Sequence, residues 1–171
     1  MITETLMSTA PLTRDVVEDL VYLEAALIDD RSFEQWRQLF TEDGRYLIVT
    51  PDIPDAETAS PDNTLFLVAD DQSRLALRIK RLEDGNAHAE SPPSKTRHCM
   101  SNVRFAESAD GEVTVRANFV TYRSRLDETT CFPGHTLYRL RRTADGLRIR
   151  EKRCMIDTDT LAQQRTVALL L

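Results

Sequence analysis

The apolar residues of this chain change their spacing near residue 95, and that change limits the fold more than any other feature of the sequence. Before it they recur at steps of three and four, as on a helix; after it they alternate, as on a strand. Val16, Leu20, Leu23 and Leu27 form the first stripe, with Thr13 or Asp15 as its cap. Ser32 opens a second helix, with Gln35 placed as in a capping box. Phe33, Trp36, Leu39 and Phe40 make its apolar face, and Asp43-Gly44 ends it. A third helix is lined by Leu75, Ile79 and Leu82, capped by Asp70 or Asp71 and stopped by Gly85. Between the second and third helices lie a short strand, Arg45 to Val49, and an acidic loop, 51–63, that holds Pro51, Pro54 and Pro61. The run Leu65 to Val68 reads either as a strand or as the lead-in to a helix.

The second half reads as strands from Arg97 to Glu107, Val113 to Leu126, Thr136 to Arg142 and Leu147 to Asp157. Asp110-Gly111 and Asp145-Gly146 supply hairpin turns, and Pro133-Gly134 reads as another end or turn. The alternation slips near Thr121 and near Arg153, the pattern a β-bulge produces in a curved sheet. Helices first and strands after make an α+β fold. The simplest packing lays three helices on the concave face of a curved antiparallel sheet, as a cone. Residues 1–12 read as a tail and 13–171 as a single domain, a length that buries a sizeable core.

Charge and composition exclude several functions. The formal net charge of -6 opposes binding to nucleic acid and to anionic membranes. No apolar run approaches the roughly 20 residues that cross a bilayer, and the N-terminus has no signal-peptide pattern. Three widely spaced cysteines, Cys99, Cys131 and Cys154, point to a reducing cytoplasm rather than a disulfide framework. The histidines, His88, His98 and His135, are not paired at ligand spacing, and no phosphate loop or nucleophile elbow occurs.

One set of residues could do acid–base chemistry inside a cone: His98, Asp43 and Tyr46, with Tyr22 and Asn102 as further members. Against that, His98 and Asn102 can satisfy backbone groups at a sheet edge, Asp43 belongs to its turn, and Tyr46 is an ordinary strand residue. The arginines crowd the β half and read equally as solvated strand faces or as a subunit contact. The apolar end, Val167 to Leu171, has to add a strand or bury in a partner.

The order of several segments resembles the small (β) subunits of bacterial aromatic-ring-hydroxylating dioxygenases. They are YLEAALIDDRSFEQWRQLFTEDGRYLI from Tyr22 to Ile48, SPPSKTRHCMSNV from Ser91 to Val103, and Tyr122 to Arg125. Phe132, Gly134, Leu140 to Arg142, Ile156-Asp157 and the apolar C-terminus complete the set. The resemblance implies a cone-shaped fold similar to nuclear transport factor two and ketosteroid isomerase. It implies a structural role beside an iron-bearing α subunit, commonly as α3β3, with β subunits associating as a trimer. The Rieske [2Fe-2S] cluster and the mononuclear Fe(II) then belong to α, and this chain carries no metal, cofactor or catalytic residue. The alternative is a stand-alone isomerase or dehydratase that uses His98 as acid–base, since one fold hosts many functions.

Overall fold

The computed structural model describes residues 12–84, 91–159 and 170–171. In chain order the elements are α1 (Arg14–Asp29), α2 (Phe33–Arg37), β1 (Phe40–Val49), β2 (Phe66–Asp70) and α3 (Gln72–Glu83). Then follow β3 (Lys95–Glu107), β4 (Val113–Arg125), β5 (Glu128–Thr143) and β6 (Gly146–Ile156). The strands make one curved six-stranded sheet in the order β2-β1-β6-β5-β4-β3. The helices pack on one face of it, and Val17, Val21, Ile28, Trp36 and Leu75 share a core with Tyr46, Val115, Phe119, Tyr138 and Ile149. This is the α+β cone expected from the sequence, with one correction. The sheet is mixed, because β1 and β6 run parallel.

The helices differ from their sequence readings in instructive ways. In α1 the buried face is Val17, Val21, Glu24, Ala25 and Ile28. Of the stripe read from the sequence, Leu20 and Leu27 are half-buried and pack on the core, whereas Val16 and Leu23 are turned outward, each 49% exposed. Both stripes have helical period, so period alone does not choose between them. Thr13 and Ser32 sit at the N-cap positions but make no side-chain cap bond. In α3 the reading holds: Leu75, Ile79 and Leu82 are buried, and the Asp71 carboxylate accepts from Arg74 N at 2.9 Å. Gly85 lies outside the described residues.

Asp43-Gly44 does not end a helix. It sits inside β1, where the register against β6 shifts between Phe40 and Arg45. A Cβ on Gly44 would stand 2.7 Å from the Thr41 carbonyl oxygen, so the bulge requires glycine. Leu65 to Val68 resolves into β2, which starts at Phe66.

Pro133-Gly134 is not a turn either. Strand β5 begins at Glu128 and runs through both residues. Its hairpin with β4 turns at Leu126, which holds φ 54 without any glycine. Gly134 is where Phe119 crosses β5: a Cβ there would lie 2.6 Å from the Phe119 ring and 2.2 Å from the Met155 carbonyl oxygen.

No bulge lies at Thr121 or Arg153. Inward positions continue unbroken through Thr121 and Arg123, which are buried polar residues in apolar register. At β6 both faces are buried from Lys152 to Ile156, which hides the alternation. Extra residues fall in β3 between Ser101 and Arg104, with Asn102 at φ 53, and at Arg150 in β6, opposite the Arg139–Leu140 step of β5.

The loop after β1 covers part of the sheet's outer face. Ile53, Ala56 and Phe66 pack on Val49, Leu137 and Met155. Arg153 Nη1 holds the loop by donating to the carbonyls of Ala56 at 2.9 Å and Ala59 at 2.8 Å. Residues 1–11 lie outside the described part; Leu12 packs against the core.

Candidate functional site

The cone interior is where this fold can bring polar groups together in a low-dielectric space. Three elements meet there: α1 presents Glu24, α2 presents Trp36, and the sheet presents Tyr46, Tyr138 and Lys152. These last three are cross-strand neighbours, because Lys152 pairs with Tyr46 on one side and with Tyr138 on the other.

Glu24 is the hub. One carboxylate oxygen accepts from Trp36 Nε1 at 2.7 Å and from Lys152 Nζ at 2.5 Å. The other accepts from the Tyr138 hydroxyl at 2.9 Å. Glu24 and Lys152 are each 1% exposed. A buried charge needs this much pairing, because desolvation costs several kcal/mol per ion. The Lys152 ammonium also lies about 6 Å from the Trp36, Tyr46 and Tyr138 ring centroids, within cation–π range.

The apolar end of the chain closes this space. Leu170 and Leu171 are buried in the chain's own core. Leu171 N donates to the Tyr46 hydroxyl at 2.9 Å, and Cys154 Sγ donates to Leu171 O at 3.5 Å. Val167 to Leu169 lie outside the described residues. Burial pushes the Tyr46 and Tyr138 phenols well above their usual range. It raises the Cys154 thiol to about 11, with the Lys152 charge opposing it. With these directions the groups keep their protons near neutral pH and do not act as bases. Among the described residues, a cavity between Ile28, Phe33, Leu82, Thr96 and Leu170 holds about 20 Å³. That is room for one water.

The residues singled out for acid–base chemistry do not form one site. His98 lies on the inner face of β3 with its side chain 2% exposed. Its Nδ1 is 2.6 Å from Asp29 Oδ1, and its backbone N donates to Asp29 Oδ2 at 2.9 Å. Thr96 Oγ1 adds a third bond to Asp29. Burial raises the Asp29 carboxyl, but the His98 ring and backbone bonds outweigh it and hold the group below its usual range. His98 Nε2 is buried and has no partner in the protein.

Asp43 stands on the surface instead, accepting two bonds from Arg141 at 3.1 and 3.2 Å. A Thr41 hydrogen bond, then Arg141, keeps its carboxyl low against weak desolvation. Tyr46 lies in the core on Leu171. Tyr22 is 47% exposed on α1, and Asn102 is exposed in the β3 bulge. His88 lies outside the described residues. Among the described residues no group of three or more His, Cys, Asp or Glu side chains could hold a metal ion. Nor is any described helix long and apolar enough to cross a membrane.

Glu24, Asp29 and Lys152 escaped the sequence reading. Glu24 and Asp29 looked like ordinary acids of an acidic helix. Lys152 had a signal: it occupies an inward position in β6, next to the break in alternation at Arg153.

Comparison with known proteins agrees with this geometry. The family model that matches residues 23–163 describes a ring hydroxylating beta subunit. The small oxygenase component of the p-cumate 2,3-dioxygenase system of Pseudomonas putida is 45% identical over 160 residues, 94% of this chain and 88% of that protein. A solved naphthalene 1,2-dioxygenase with indole bound superposes at TM-score 0.78 with 15% identity, covering 98% of this chain and 92% of that one. An NTF2-like protein with a cystatin-like fold from Novosphingobium aromaticivorans superposes at 0.60 with 17% identity, covering 92% and 89%.

Proposed function

This chain belongs to the family of ring hydroxylating beta subunits, and we propose that it is the structural β subunit of an aromatic-ring dioxygenase. In this reading residues 13–171 act as one domain that supports an iron-bearing α subunit in the cytoplasm. The α subunit holds the Rieske cluster and the mononuclear Fe(II), the assembly is α3β3, and no residue of this chain touches the substrate.

The packing of the described part of the cone carries the reading. An enzyme using this fold needs a cavity and a group able to exchange protons there. Here the interior is taken up by Glu24, Lys152, Leu170 and Leu171, and the phenols beside them are held protonated. His98 is sealed, and its charged neighbour Asp29 is committed to three bonds.

Co-expression with a Rieske-type α chain tests the proposal. A stable hetero-oligomer that oxygenates an aromatic compound is the expected result, and p-cumate, a substituted benzoate, is the first substrate to try given the relative's name. His98→Ala in that complex should leave turnover per α subunit unchanged. Loss of turnover with the assembly intact would count against a purely structural role.

A further inference from the structure

Four buried side-chain polar atoms have no hydrogen-bond partner among the described residues: Gln72 Nε2, His98 Nε2, Thr121 Oγ1 and Thr158 Oγ1. Gln72 and Thr158 are half-buried residues close to solvent. His98 and Thr121 are not: the His98 side chain is 2% exposed and Thr121 is 0% exposed. These two are also direct cross-strand partners. His98 of β3 pairs with Thr121 of β4, and Thr121 pairs with Phe132 of β5. Opposed residues of an antiparallel pair share a face and hold their Cβ atoms about 5 Å apart. The two orphaned atoms are therefore neighbours on the inner face of the cone.

Their hydrogen-bonding needs are complementary. The Asp29 carboxyl is held below its usual range, so it is ionised and can only accept. His98 Nδ1, 2.6 Å from Asp29 Oδ1, is then the donor of that pair. This leaves Nε2 as the accepting nitrogen of the ring, in need of a donor. Thr121 Oγ1 carries a proton to give. Yet Nε2 and Oγ1 do not bond to each other, and Arg123, the next inward residue of β4, is turned to Ser94. Buried polar groups are satisfied by protein or by ordered water, and a buried water needs about two to four polar partners. Thr121 is the smallest side chain of its row, between His98 and Phe132.

We infer that one ordered water bridges this pair, accepting from Thr121 Oγ1 and donating to His98 Nε2. Asp29, His98, the water and Thr121 then form one continuous hydrogen-bonded chain, from the end of α1 across β3 to β4. The burial of both side chains fits the site to a single water rather than to a larger ligand. The site belongs to the folded chain itself, whether or not an α subunit is bound.

Crystallography of the full chain at high resolution tests this, with Thr121→Ser and Thr121→Val beside the wild type. One solvent peak within hydrogen-bond distance of both atoms is expected in the wild type and in Thr121→Ser, and none in Thr121→Val. Nitrogen NMR of the His98 ring in mildly alkaline buffer gives a second readout. Nδ1 should carry the proton, and Nε2 should resonate as a bare nitrogen that accepts a hydrogen bond. Thr121→Val should move the Nε2 resonance towards that of a free nitrogen and leave Nδ1 in place. A direct bond between Nε2 and Oγ1, a protein group bonded to either atom, or a wild-type site with no solvent peak overturns the inference. So does a peak that persists in Thr121→Val, an Nε2 resonance that this variant leaves unmoved, or a proton on Nε2 with Nδ1 bare. The wild-type peak and resonances decide the matter even where a variant fails to fold.

Discussion

Lys152 Nζ lies 2.5 Å from Glu24 Oε1, and the two side chains are 2% and 1% exposed. Among the described residues, no other charged side chain bonds to either one. Removing one partner leaves the other buried and uncompensated, which costs about 3–5 kcal/mol. Lys152→Met and Glu24→Gln should each destabilise on that scale in urea titration. The double variant should cost clearly less than the sum, because the two effects share one interaction. Additive losses would mean the pair is not coupled.

Gly134→Ala and Gly111→Ala should differ sharply. At Gly134 the new Cβ meets a carbonyl oxygen and an aromatic ring of neighbouring strands, and backbone cannot yield. A loss of about 3 kcal/mol or more is expected. At Gly111 nothing lies within 4 Å and only φ +81 is at issue, so the cost is about 1 kcal/mol. Thermal midpoints of the two variants decide it.

Asp29 makes stability depend on acid pH. Its folded-state pKa is lowered, so below neutrality the unfolded chain binds the proton more readily. The stabilisation is full above the ordinary value of 3.8 and is lost as pH falls through the lower folded value. Asp29→Asn should flatten the stability profile below about pH 4. An unchanged acid slope in that variant would place the linkage elsewhere.

The Cys154 thiol, raised to about 11 and buried, should resist maleimide at pH 8 until urea unfolds the chain. Mass spectrometry of the native labelled protein reads this directly. Rapid labelling of Cys154 would mean that Leu170 and Leu171 leave the core often.

Asp71→Ala should cost about 1 kcal/mol, because it removes a cap bond at the start of α3. Ser32→Ala should cost far less, since Ser32 makes no side-chain cap bond.

These contrasts also explain what could be read from the sequence. In α3 the apolar stripe and the cap agree, so the helix was legible from its start through Leu82. In α1 two apolar stripes compete. The buried one contains Glu24, whose burial makes sense only once Lys152 faces it from 128 residues away. The first half of β5 was hidden by Pro133, which cannot donate to a ladder. Register shows why it is tolerated: β6 ends opposite Gly134, and beyond it, among the described residues, Asp157 N donates to the Pro133 carbonyl while no ladder bond calls on the proline nitrogen. The Leu126 turn carries none of the residues that usually mark one. His98 was found from its chemistry, but its partner Asp29 was not, because the bond joins a helix end to a strand 69 residues later.

The parallel pairing of β1 with β6 has a consequence for synthesis. Until residues 146–156 leave the ribosome, β1 has β2 as its only neighbour in the sheet. One side of its backbone, from Arg45 to Val49, waits through the making of about a hundred residues. An apolar strand with an unfilled edge is a template for unwanted pairing. The nascent chain therefore spends most of its production time in its most aggregation-prone form, and its yield in a cell should depend on chaperone supply more than the finished fold suggests.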